Sequence, residues 1–260
     1  MWPHLLSLDA PVIALLWQAV FARDAGVSLA FASRAALFLA VWLIYLMDRL
    51  LDTGKAPAPV PVTARHRFCL AHRRLCYSLS LLAVLVAACS IPHLPPPVLE
   101  GGLVIASLVG GYLLIVHWSG VRWLSKEAAV GALFAMGTAL APLARSSTMT
   151  RLALPALVFG ALCWTNVAAI EKWEGGEVNA PSAWMVRHIH SLSMLVCLVC
   201  LPLGWWLGAP RSAVSLGLCA IGFRMVSDLR GKLTGDALRV AIDLPLLAPL
   251  LWLGLGYAGV

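Results

Sequence analysis

Long apolar runs dominate this chain, broken at fairly even intervals by charged or proline-rich links. Divided at those links it gives nine stretches, over residues 4–22, 27–51, 66–90, 97–117, 126–144, 152–171, 182–207, 210–228 and 236–258. Each is near the roughly 20 residues that a helix needs to cross a bilayer. Asp9 and Pro11 interrupt the first stretch, which also lacks a basic leader and a small-residue cleavage site, so it is not read as a removed signal peptide. Nearly all residues fall in the nine stretches or their short links, which leaves no room for a soluble domain. The expected architecture is all-α, a single transmembrane helical domain over residues 1–260 with about nine spans.

Composition agrees with the pattern. Hydrophobic residues make up 61% of the chain and charged residues 12%, and the mean hydropathy is +0.87, which excludes an ordinary soluble domain. The link Thr53–Thr63 is rich in proline and alanine and is expected to be an extended, exposed loop. Of the 19 Lys and Arg residues, all but Arg23, Arg34, Arg145, Arg151 and Arg211 fall at the links after stretches two, four, six and eight or at the adjoining helix ends. The positive-inside rule then puts the N-terminus and those basic links in the cytoplasm, as expected for a bacterial inner-membrane protein. The net charge of +7 is thereby an orientation signal, and nucleic-acid binding is excluded because no basic patch belongs to a soluble module. The seven cysteines lie scattered in apolar segments with no paired framework and read as small buried apolar residues.

Two acidic clusters stand out against this background. Asp48 and Asp52, in the run Tyr45-Leu-Met-Asp48-Arg49-Leu-Leu-Asp52, close the second stretch; Glu171, Glu174 and Glu177 follow the sixth. Asp48 and Asp52 are four apart, so on a helix they project from one face about one turn apart and can share a cation. An acid at the centre of a membrane helix costs roughly 2.5 to 3.5 kcal/mol, so acids at helix ends sit in the interface or line a wet cavity. Basic residues accompany them on the same side. Arg67 and Arg74 lie seven apart at the start of the third stretch and share a face, beside His66 and Arg73, and Arg122, Lys126 and Lys172 follow in later links. Acidic pairs and cations converging on one pocket suit a metal diphosphate, because Mg²⁺ keeps few protein carboxylates and binds mainly through phosphate oxygens.

These residues resemble the UbiA superfamily of intramembrane prenyltransferases. The likeness rests on nine helices, an Asp-xxx-Asp pair closing the second, and an acidic cluster closing the sixth. The family's first motif is Asn-xxx-Asp-xxx-Asp, matched here by Ile44-xxx-Asp48-xxx-Asp52. Its second is matched by Asn166-xxx-Ile170-xxx-Glu174, with Glu171 one residue out of register and about 100° away around the helix. On that register Glu171 enters the site only if the helix frays or bulges, and Glu174 matters more. The resemblance implies that Asp48, Asp52, Glu171 and Glu174 hold Mg²⁺. It further implies that Asn166, Arg67, Arg74, Lys126 and Lys172 bind a prenyl diphosphate, whose prenyl group is passed to a lipophilic acceptor within the lipid bilayer.

Other polar residues are expected to be structural. Arg224 and Asp228, and Arg239 and Asp243, have the i,i+4 spacing of intrahelical ion pairs, and His188 and His190 read as interfacial. A second functional reading, of a different class, is a non-catalytic relative or small transporter that holds an anionic lipid or ion at the same charged mouth. The Ile residues at 44 and 170 favour it.

Overall fold

The computed structural model describes residues 6–53, 64–115, 125–146, 149–233 and 235–254, and leaves aside the side chains at 52, 53, 64–66, 236, 253 and 254. The described secondary structure is all helical, and seven of its helices are long and apolar enough to cross a membrane. The chain runs through α1 (Asp9–Ala25), α2 (Phe31–Thr53), α3 (Ala64–Ala71), α4 (Arg73–Ser90), α5 (Pro96–Leu114), α6 (Lys126–Arg145), α7 (Met149–Trp173) and α8 (Ala180–Arg187). It continues through α9 (Ile189–Leu195), a π-helical turn over Val196–Cys200, α10 (Leu201–Trp206), α11 (Pro210–Leu229) and α12 (Gly235–Asp243). A 3₁₀ run, Leu244–Leu250, then leads into the short α13 (Leu251–Gly254).

Several boundaries depart from the hydropathy pattern, each for a local reason. Asp9 and Pro11 open α1 instead of interrupting it. An acid in the first turn meets free N–H groups, and a proline there has no intrahelical donor to lose. Gly26 ends α1 in the left-handed region at φ 67°, with its N–H turned back to Ala22 and Arg23, a conformation that glycine adopts without a Cβ penalty. The third stretch bends at His72, whose φ of −121° and ψ of 40° are not helical. The basic residues of α3 and α4 therefore do not form one continuous stripe.

Proline explains the other two breaks. Pro202 has no N–H for the carbonyl of Leu198, and the preceding turn widens to π. Pro245 and Pro249 withdraw two donors from the last segment, which tightens from α to 3₁₀ after Asp243. The final stretch is thus a broken helix rather than one continuous span.

The core forms where α1, α7, α11 and the 3₁₀ run meet. Trp17 and Phe21 of α1 are fully buried; the Trp17 ring stacks on Phe159 of α7 with centroids 4.3 Å apart, and its indole N–H donates to the Leu246 carbonyl at 2.8 Å. That bond satisfies a 3₁₀ carbonyl and an indole donor together, as buried polar groups require. The antiparallel pair α6 and α7 makes the most extensive helix contact. Small residues permit it: a Cβ on Gly131 would come within 2.6 Å of the Trp164 backbone nitrogen and 2.8 Å of the Gly160 carbonyl oxygen.

Gly131→Ala is therefore expected to destabilise the bundle by about 3 kcal/mol, since the new methyl meets backbone that cannot yield. Gly137→Ala, whose Cβ would meet only Leu37 Cδ1 at 3.8 Å, should be nearly neutral. Thermal melting of the two variants in detergent checks this, and equal melting points would contradict the close-packing argument.

Candidate functional site

Five helices and the α12–3₁₀ turn enclose a cavity of about 360 Å³, within the size range of small-ligand pockets. The last turns of α2 contribute Ile44, Tyr45, Asp48 and Arg49, and α6 begins at it with Lys126. Asn166, Val167, Ile170 and Glu171 come from α7, Tyr112 and Leu113 from α5, Arg239 and Asp243 from α12, and Asp9 from the start of α1. The sequence-distant ends of α2 and α7 thus share one wall-to-wall space. Its lining carries four carboxylates, Asp9, Asp48, Glu171 and Asp243, against three cations, Arg49, Lys126 and Arg239. Near balance keeps so many charges tolerable in a largely apolar bundle.

The partners within this set cross between helices. Lys126 Nζ lies 3.4 Å from Glu171 Oε2, joining the start of α6 to the end of α7. Arg239 donates to both carboxylate oxygens of Glu174 in a bidentate pair. The Asn166 side-chain amide donates to the Ile242 carbonyl at 3.0 Å and to Asp243 Oδ1 at 3.1 Å. Arg239 and Asp243 are therefore engaged across helices, beyond the intrahelical pairing that their spacing predicts. Asp228 pairs with His190 at 3.2 Å rather than with Arg224.

A buried network holds the start of α6. Ser125 caps the helix by accepting from the Ala128 N–H at 3.2 Å. Its hydroxyl and that of Ser182 each donate to Glu127 Oε2 at 2.9 Å, and the Trp164 indole donates to Ser182 Oγ at 2.9 Å. Glu127, only 3% exposed, thus ties α6 to α7 and α8 and so positions the neighbouring Lys126. Nothing in the local sequence marks Glu127 as buried.

The residues singled out from sequence fall into distinct places. Asp48, Lys126, Asn166 and Glu171 line the cavity. Glu171 does so without any fraying, because α7 is helical through Trp173 and Asn166, Val167, Ile170 and Glu171 form one face of it. Glu174 stands outside the lining and reaches the cavity through Arg239. Lys172 is half-buried outside the lining, and Arg67 and Arg74 are exposed and also outside it. Asp52 closes α2, but its side chain is outside the described residues. Asp9 and Asp243 are lining acids that the motif reading did not place there. The available signal was an ionisable residue inside an apolar segment.

Among the described residues, no three His, Cys, Asp or Glu side chains gather closely enough to cage a metal ion. The lining does offer oxygen donors and adjacent cations, which fits a hard cation that takes most of its ligands from a bound phosphate. No family model matches the chain, and neither does any curated protein or solved structure.

Replacing Glu127 with Ala should remove the acceptor shared by the Ser125 and Ser182 hydroxyls, which are left with each other at 3.0 Å, and cost about 1–3 kcal/mol, while Glu127→Gln, which keeps an oxygen, should cost less. Melting curves of the two variants give the order, and an exposed, dispensable Glu127 would leave both unchanged.

Proposed function

We propose that this integral membrane protein is a UbiA-like prenyltransferase that moves a prenyl group from a prenyl diphosphate to a lipophilic acceptor with the help of Mg²⁺. The observation that carries the reading is the single cavity onto which Asp48, Lys126, Asn166 and Glu171 converge. In this reading α1 and the broken final segment cross the membrane along with the seven apolar spans, as the nine helices of the resemblance imply. The basic links favour an N-terminus and a cavity mouth on the cytoplasmic side of a bacterial inner membrane.

In this reading Asp48 and Glu171, joined by Asp52 and Glu174 as the resemblance implies, would hold Mg²⁺, which when bound neutralises the charge of the departing diphosphate. Lys126 contributes a cation at the same oxygens, and Arg239, held by Glu174, adds a second. Asn166 keeps α12 against α7 and so fixes the far wall. The C–O bond of the prenyl diphosphate breaks with its electron pair leaving on diphosphate, and apolar and aromatic lining such as Tyr45, Ile170 and Phe134 keeps water from the allylic cation until the acceptor captures it. Arg67, Arg74 and Lys172 serve as outer cations that attract the anionic substrate to the mouth.

One observation favours the second reading, a non-catalytic relative or small transporter for an anionic lipid or ion. Glu171 and Glu174 are already engaged by Lys126 and Arg239, and acids so engaged are less available to a metal. The two readings differ in whether diphosphate is released.

Purified protein offered allylic prenyl diphosphates of several lengths should release diphosphate only with Mg²⁺. Asp48→Asn should abolish release without lowering the melting point, because it removes a charge at constant volume. Glu171→Gln should cost at least about tenfold, one charge-assisted contact, and Glu174→Gln less, since that acid acts through Arg239. Absence of release from folded parent protein with every chain length would overturn the enzyme reading and leave the second. Maleimide labelling of single cysteines in intact cells tests orientation: Gly231→Cys, exposed in a basic link, should be shielded and His93→Cys accessible from outside.

A further inference from the structure

Where α2, α3 and α4 meet, four side chains form a small cluster apart from the main core: Leu50, Cys69 and Cys76, with Met47 packed against them. Three of the four carry sulfur, in a chain of 260 residues with only seven Cys and seven Met. Cys69 and Cys76 are each 2% exposed, although every residue from Leu70 to Leu75 is exposed. The cysteines on either side of that stretch turn inward.

The bend in the chain brings them together. Residues seven apart on an unbroken helix are separated by about 10.5 Å of rise, too far for two short side chains to meet. The break at His72, with its φ of −121° and ψ of 40°, falls between them, and the Cys69 and Cys76 thiols hydrogen-bond each other. Met47 reaches the pair from the last turns of α2. Among the described residues no three His, Cys, Asp or Glu side chains gather, so the donors at this point are two thiols and a thioether. Zinc favours four ligands in a tetrahedron, whereas soft sulfur donors such as these select Cu(I). Arg49 and Arg73 lie close enough to favour negative charge on Cys69, which offsets the surplus that two thiolates leave on a monovalent ion. A free cysteine packing as a small apolar residue accounts for the burial of one thiol. It does not account for three sulfurs converging from three helices.

We propose that Cys69, Cys76 and Met47 form a binding site for a soft monovalent metal ion, Cu(I), at the junction of α2, α3 and α4. Each thiol gives its proton to solvent as its sulfur takes the ion, with no change of oxidation state. A metal held there ties α3 and α4 to the turn of α2 that carries Asp48. The site does not depend on the transferase reading.

Anaerobic titration of the full-length protein in detergent with Cu(I) bicinchoninate tests the site, and X-ray absorption at the copper K-edge counts the sulfur neighbours. The parent should withdraw one equivalent of Cu(I) and show three sulfurs around it. Losing an outer-shell partner costs a metal site about 10–100-fold in affinity, so losing a direct ligand in Cys69→Ser or Cys76→Ser should cost at least about a hundredfold. Met47→Leu, which conserves volume and removes a neutral donor, should cost about tenfold and lower the sulfur count to two. Cys197→Ser, which breaks another close pair of cysteines, should change neither reading. No uptake by folded parent overturns the site, as does uptake unaltered in a folded Cys69→Ser or Cys76→Ser variant or lost equally in Cys197→Ser. If neither variant at 69 or 76 folds, Met47→Leu decides, and an unchanged affinity and sulfur count overturns the site.

Discussion

The close approach of α6 to α7 sets the geometry on which the cavity depends. Gly131 packs against the backbone at Gly160 and Trp164, and from that contact the two antiparallel helices run toward the mouth together. Lys126 lies five residues back along α6, about 7.5 Å of rise, and Glu171 lies seven residues beyond Trp164, about 10.5 Å. Similar rises from a common contact bring their side chains to 3.4 Å. A larger residue at 131 would separate the helices and with them the ion pair. The Glu127 network acts at the same end, holding the first turn of α6 to Ser182 and, through it, to Trp164.

Charge in an apolar bundle has to be matched locally, and here it is matched between helices. Arg239 of α12 holds Glu174, and Asn166 of α7 holds Asp243 and the Ile242 carbonyl. Every such bond is both a means of tolerating a polar group and a tether that positions a cavity wall. The same economy operates on the other side of the bundle, where Asp24, 5% exposed, accepts the backbone N–H groups of Arg211 and Ser212 at 3.3 and 2.7 Å. It thereby caps α11 from another helix. Breaks in the helices serve this matching too, because the 3₁₀ run after Asp243 leaves the Leu246 carbonyl to Trp17.

The sequence by itself determined the class of the protein and the placement of most helices. Burial of apolar side chains and internal satisfaction of backbone groups leave a chain of this hydropathy little choice but membrane helices, and glycine and proline act locally where helices end or bend. Position at helix ends also singled out Asp48, Lys126 and Glu171, because residues near the end of a helix can be assigned to that end from sequence alone, and the family resemblance added Asn166. Only the tertiary structure decided which of these ends face one another and which side chains turn inward. Register against a motif ranked Glu174 above Glu171, yet the packing of α7 against α6 turns Glu171 to the cavity and gives Glu174 to Arg239. Asp9 and Asp243 are more than 230 residues apart, and no periodicity along the chain relates them. Their meeting at the cavity wall follows from α1 packing against the 3₁₀ run through Trp17, a contact between distant segments that local sequence does not encode.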